Sequence, residues 1–189
     1  MRAVYRCDAT PRIASQRLAS GGRTCRHACD IVVYETLYGE VRELNRPLVR
    51  SSIVAVTTED RPNQYLLYHD DGWDCDFFPN RRSSDDYETD TTNMAEYLKR
   101  EYMVPVKPSG LRLVGTSTNS KLSTEHNEVR DYEYRLYLLR LHETPEPWAG
   151  ERFRILDKDC CMMSIGDMLS DSRMNSVNHD VIAMVRDMA

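Results

Sequence analysis

The sequence predicts an α+β domain layered as an α/β/α sandwich, with a mixed sheet, one central helix and an added N-terminal helical segment. Three observations predict it. Short β-branched and aromatic runs recur at 53–57, 64–69 and 129–142, the last with strict alternation of Tyr132, Tyr134, Leu136 and Leu138. A helix-spaced stretch ending near Tyr102 interrupts them. Further short apolar pieces and two helical segments follow after residue 150.

The strands come first. Ile53 to Thr57 reads as a buried strand, and Gln64 to His69 as the next, joined by the turn residues Asp60-Arg61-Pro62-Asn63 into a β-hairpin. Asp70-Asp71-Gly72 turns again, and Trp73 to Phe78 is a third short strand closed by Pro79. Residues 80–92 read as a polar loop, with Thr91 or Thr92 capping a helix that runs to Tyr102. Leu111–Ser117 is a strand, 118–128 a polar loop, and Val129 to His142 a long strand. Phe153–Leu156 and Cys161–Met163 are short strands. Ser164 caps a short helix, and Asn178 caps the last one.

Charge divides the chain. The net charge is −5, yet residues 1–29 hold six arginines and one acid, Asp8, so this tail is +5 and the rest of the chain −10. The tail has no apolar stretch of signal-peptide type. Its composition fits an organelle transit peptide, an arm that touches phosphate, or a poorly ordered segment without a role. Cys7, Cys25, His27 and Cys29 lie there with spacing that matches a zinc site weakly. Asp30 can cap a helix over 31–44 on which Tyr34, Leu37, Tyr38, Val41 and Leu44 share a face, a candidate homodimer contact. The expected divisions are therefore 1–29, 30–50 and 51–189. No run of about 18 apolar residues spans a membrane, and free thiols in a cytoplasmic setting are the expectation. An acidic body argues against nucleic acid as a partner except through the basic tail.

The segment Trp73-Asp74-Cys75-Asp76-Phe77-Phe78-Pro79-Asn80, followed by a loop and a helix, resembles the Nudix superfamily. That family's box reads G-x5-E-x7-R-E-U-x-E-E-x-G-U, where U is bulky and apolar. Aligned from residue 82, Glu88 falls on the first box glutamate, Leu98 on the first U, Glu101 on the last glutamate and Val104 on the final U. The resemblance covers residues 51–188. Elsewhere the box is altered. Arg82 stands for its glycine, Asn80-Arg81 for the preceding Gly-Gly, Glu96 for the arginine, Tyr97 and Arg100 for two glutamates, and Met103 for the last glycine.

In that family, carboxylates on one helix face hold magnesium. Here residues 97, 100 and 101 share the face and supply one carboxylate, Glu101, beside a guanidinium. Arg100 is placed for an ion pair with Glu96 four residues earlier. A rebuilt set for Mg or Mn would draw on Glu101, Glu88, Asp85 and Asp86, with Glu125 as a base. Three functions stand open. The first is a nucleotide- or phosphate-binding module with hydrolysis weakened or lost, in which Arg81, Arg82 and Arg100 would contact phosphates and Trp73 would stack on a base. The second is an active metal-dependent hydrolase of nucleoside diphosphate-linked substrates. The third is a protein-interaction or regulatory module.

Overall fold

The computed structural model describes residues 46–104, 106–123 and 126–189. By contacts the chain divides into Met1–Asn45 and Arg46–Ala189. The 31–44 helix, the proposed dimer contact, the cysteines of the tail and the tail's arginines lie outside the described residues.

Strand β1 (Leu48–Thr58) organises the fold. It pairs in parallel with β6 (Glu128–Leu141) over eleven residues, from Leu48 opposite Asp131 to Thr58 opposite Leu141. On its other edge it takes the short β4 (Asn80–Arg82), antiparallel. β6 also forms an antiparallel ladder with β5 (Arg112–Ser123), giving a four-stranded sheet in the order β4-β1-β6-β5. A second sheet, in the order β3-β2-β8-β7, contains β2 (Gln64–Asp70), β3 (Cys75–Phe77), β7 (Arg152–Ile155) and β8 (Lys158–Ser164).

The expected hairpin between the first two strands does not form. β6 and β4 take the edges of β1, so β2 pairs with β8 instead. The turn itself is as expected, with the Arg61 N–H donating to the Thr58 carbonyl and the Gln64 N–H to the Arg61 carbonyl. The expected loop over 118–128 is also corrected. β5 continues to Ser123, because as an outer strand it can expose the polar side chains of Thr116–Ser120.

Side-chain alternation sorts the interior into two cores. Ile53 and Ala55 of β1 join Leu136 and Leu138 of β6 against helix α3 (Ser172–Met188), through Val181, Ile182 and Val185. Val54 and Val56 join Tyr137 and Leu139 against helix α1 (Tyr87–Tyr102), through Met94, Leu98 and Tyr102. The layers are thus helix, sheet and helix. A six-residue helix, α2 (Ile165–Ser170), capped by Ser164 as expected, leads into α3.

Asn178 is not a cap. Asp171 caps α3 by accepting from the Arg173 and Met174 N–H groups, and Asn178 lies inside the helix. Likewise α1 starts at Tyr87, not after Thr91. Asp86 caps it, accepting from the Thr89 N–H at 2.8 Å.

Helix α1 ends at Met103, which has φ 56° and whose N–H donates to the Leu98 carbonyl. This left-handed conformation favours glycine, and Met103 stands where the Nudix box has one. Because 62% of Met103 is exposed, its side chain returns little packing. Met103→Gly is therefore expected to stabilise the protein by about 1 kcal/mol, the steric cost of this conformation for a side chain. Thermal unfolding should move up by roughly 2–4 °C.

Cys75, Cys160 and Cys161 are buried free thiols. Burial pushes the Cys160 thiol up to about 11 and the Cys161 thiol up to about 12. At pH 8 both are thiols and not thiolates, and the thiolate is the reactive form. Ellman's reagent followed by peptide mapping should leave Cys160 and Cys161 unmodified until denaturant is added.

Candidate functional site

The box helix provides a place to look for metal chemistry. With α1 starting at Tyr87, Glu88 and Asp90 belong to its first turn and not to a preceding loop. Each acid of the group has its own circumstances. Asp86 is the cap, and the Thr89 N–H holds its carboxyl below the ordinary value. Asp85 is exposed, 3.8 Å from Arg50. Glu88 is exposed on the helix surface.

Asp90 is fully buried. One of its carboxylate oxygens accepts from Ser52 at 2.5 Å and from the Tyr137 hydroxyl at 2.9 Å, and the other from the Ser84 N–H at 2.8 Å. Arg135, also buried, stands 3.5 Å away. Arg135 in turn donates to the Ser84 carbonyl at 2.8 Å and lies 4.4 Å from the centre of the Tyr87 ring. This network ties the loop before α1 to β1 and β6.

Glu101 is the one carboxylate on the expected metal-facing positions, and two cations already hold it. Arg100 Nε donates to it at 2.8 Å, and Lys158 Nζ lies 3.3 Å from its other oxygen. Arg100, with Lys158 behind it, holds the Glu101 carboxyl below its usual range. The expected pair between Arg100 and Glu96 is replaced by this contact with Glu101. Among the described residues no group of three or more His, Cys, Asp or Glu side chains gathers to hold a metal ion. Magnesium wants several oxygen ligands, and here a guanidinium and an ammonium take the oxygens of Glu101. The residues present do not fit the ion. Glu125 lies outside the described residues.

The other face of the first sheet carries a cavity of about 910 Å³. Its walls come from the turn after β2, from β5 and β6, and from α3, and include Trp73, Lys121, Tyr132, Tyr134, Arg173 and Asn178. Trp73 is 45% exposed and stands in the turn rather than in a strand. The buried tryptophan is Trp148, stacked on Phe153. The Trp73 carbonyl accepts from the Arg173 guanidinium, with Nε at 3.1 Å.

Lys121 lies over the Tyr132 and Tyr134 rings, 5.0 and 5.8 Å from their centres, and 3.4 Å from Asp180. Burial works against its charge, but Tyr134 and Asp180 together outweigh burial and raise its pKa. The ammonium is therefore a fixed positive charge in an aromatic wall. Asn178 is 7% exposed, and its Nδ2 has no hydrogen-bond partner.

Of the residues expected to touch a ligand, Trp73 lines this cavity. Arg82 is opposite Ser51, a lining residue, so the ladder places it on the cavity's side of the sheet. Arg81 is opposite Ser52 and takes the α1 side, and Arg100 pairs with Glu101. Sequence reasoning missed Lys121, Arg173 and Asn178. Asn178 did leave a signal, since Met174, Val181, Ile182 and Val185 set an apolar stripe into which position 178 falls.

The chain has a Nudix-like α+β fold, with the box's apolar positions Leu98 and Val104 buried and its last glycine position in the left-handed region. No sequence-family profile matches it, and no curated protein matches it. Solved structures similar to it include a C. elegans Ap4A hydrolase, at 12% identity, 73% of this chain, 98% of that one and a TM-score of 0.43. Another is the NUDIX domain of Shewanella oneidensis NrtR complexed with ADP ribose, at 11% identity, 77% of this chain, 90% of that one and a TM-score of 0.49. A third is the Nudix hydrolase RenU from M. smegmatis, at 11% identity, 72% of this chain, 88% of that one and a TM-score of 0.39. Among the described residues no helix is long and apolar enough to cross a membrane.

The Asp90 network has a measurable consequence. Asp90→Ala leaves Arg135 buried without its carboxylate and strips acceptors from Ser52, Tyr137 and the Ser84 N–H. Breaking such a buried pair costs about 3–5 kcal/mol. The urea midpoint of the variant should fall accordingly, with an unchanged slope.

Proposed function

We propose that this domain binds a nucleotide or a closely related phosphate-containing ligand in the cleft between α3 and the first sheet, and that hydrolysis through the box helix is lost. The cleft's composition carries this reading. Trp73, Tyr132 and Tyr134 offer aromatic faces on which a flat ring can stack, and Lys121 and Arg173 offer donors that suit phosphate oxygens. A large, partly apolar cavity with a few converging polar groups is what a small-molecule site requires. Glu101, whose oxygens are held by Arg100 and Lys158, supports the reading that hydrolysis is weakened or lost.

Ligand binding and turnover test the two halves separately. The full chain is mixed with nucleoside mono-, di- and triphosphates, with and without Mg or Mn. Melting temperature reports binding, and released phosphate reports turnover. Ligands should raise the melting temperature without phosphate release. Lys121→Met and Trp73→Ala should each weaken binding about tenfold, on the scale of one charge-assisted hydrogen bond or one stacking contact. Turnover that disappears in Glu101→Gln would replace this reading with an active hydrolase. Absence of both binding and turnover would favour an interaction module.

A further inference from the structure

Strand β5 ends the first sheet, in the order β4-β1-β6-β5, and among the described residues no strand pairs with its outer edge. It is 12 residues long and offers a row of backbone N–H and C=O groups to which another strand can add. Lysines and bulges often guard such an edge, and β5 has one of each. Here both have other roles. Lys121 leans over the Tyr132 and Tyr134 rings of its own chain and towards Asp180. The bulge lies near one end, between Leu113 and Gly115, and resets which face each side chain takes. Leu113 is opposite Tyr137 and Leu122 opposite Val129, so both leucines lie on the α1 side with Thr116, Thr118 and Ser120. Without the bulge, residues 113 and 122 would point to opposite faces. Leu113 is 40% exposed, Leu122 58% and the adjacent Val129 44%.

We propose that β5 pairs antiparallel with β5 of a second copy of this chain, about a two-fold axis at Thr118. An axis perpendicular to the sheet keeps the same face up in both copies. It therefore pairs residues of one face and has to pass through a residue rather than between two. At Thr118 it uses the whole strand. Thr118 then meets Thr118, Ser117 meets Asn119, Thr116 meets Ser120, and Lys121 meets the bare backbone of Gly115. Hydroxyl pairs of this kind favour antiparallel strands. Across the bulge Leu113 meets Leu122, in one row with Val129.

The charges agree with this register. Arg112 meets Ser123, whose own ladder partner is Glu128, so Arg112 of one copy approaches Glu128 of the other. Arg130 holds Oε1 of Glu128 and leaves the second oxygen on offer. Moving the axis to Ser117 would set Arg112 directly against Lys121, and like charges so placed are destabilising. Moving it to Asn119 would leave Arg112, Leu113 and Val114 unpaired. The pairing at Thr118 joins two four-stranded sheets into one, with both clefts on the same side.

Sedimentation equilibrium on the full chain tests this. In the micromolar range the mass should approach twice 22.0 kDa. Thr118 is exposed and faces itself across the axis, so a single substitution there acts on both copies. Thr118→Lys and Thr118→Glu each set like charges face to face, with Cβ atoms about 4.5–5.5 Å apart. Each variant alone should return to single-chain mass. Mixed in equal amounts, the two should restore the double mass. Amide exchange on the wild type needs no variant. Dilution to single-chain mass should remove protection along 112–123.

A wild type that stays at single-chain mass throughout would overturn the proposal. A double mass that both variants keep would also overturn it, placing the contact on another face. So would folded variants whose mixture does not re-form the dimer, or exchange along 112–123 that ignores dilution.

Discussion

The whole architecture depends on the parallel pairing of β1 with β6. Val54, Ala55 and Val56 are completely buried, and consecutive side chains of a strand point to opposite faces. A strand buried on both faces must therefore divide the interior into two cores, one for each helix layer. Each fully buried branched side chain contributes about 1.5–3 kcal/mol. An inserted charge anywhere along 53–57 would meet an apolar layer on one side or the other.

That division gives the two sides of the sheet separate chemical circumstances. On the α1 side the carboxylates are paired, although the buried Arg135 Nε has no hydrogen-bond partner. Asp90 is saturated by Ser52, Tyr137 and the Ser84 N–H, with Arg135 balancing its charge. Glu101 is saturated by Arg100 and Lys158. On the α3 side the polar groups face a cavity, and the Asn178 donor has no partner. What sets the α3 side apart is its cavity, lined by Trp73, Lys121, Arg173 and Asn178.

Much of the fold was legible from local pattern. Alternation located β6, Ser164 announced α2, and the box alignment brought Leu98, Met103 and Val104 to positions that the structure uses as that alignment implies. What was missed is non-local or polar. No local signal says that β6 outcompetes β2 for the edge of β1, because that pairing joins residues far apart in sequence. Residues 118–123 read as a loop because an outer strand lacks the apolar alternation of an inner one. Asp86 was counted among loop acids rather than as a cap. The cleft draws on Trp73, Lys121 and Arg173, one from each of three distant segments, so only the tryptophan, notable by type, was singled out beforehand.

The separation between β1 and β6 also governs how the domain is made. Leu48 and Asp131 are partners although they stand 83 positions apart along the chain. Closing so long a loop costs entropy before any contact is gained, and such pairings slow folding. On the ribosome, β1 emerges with the edge that β6 will occupy bare, and that edge stays so while β2, α1 and β5 are synthesised. The strand richest in β-branched residues thus waits 83 residues for this partner. The nascent protein's vulnerability to misassembly is concentrated in residues 53–57 for that interval.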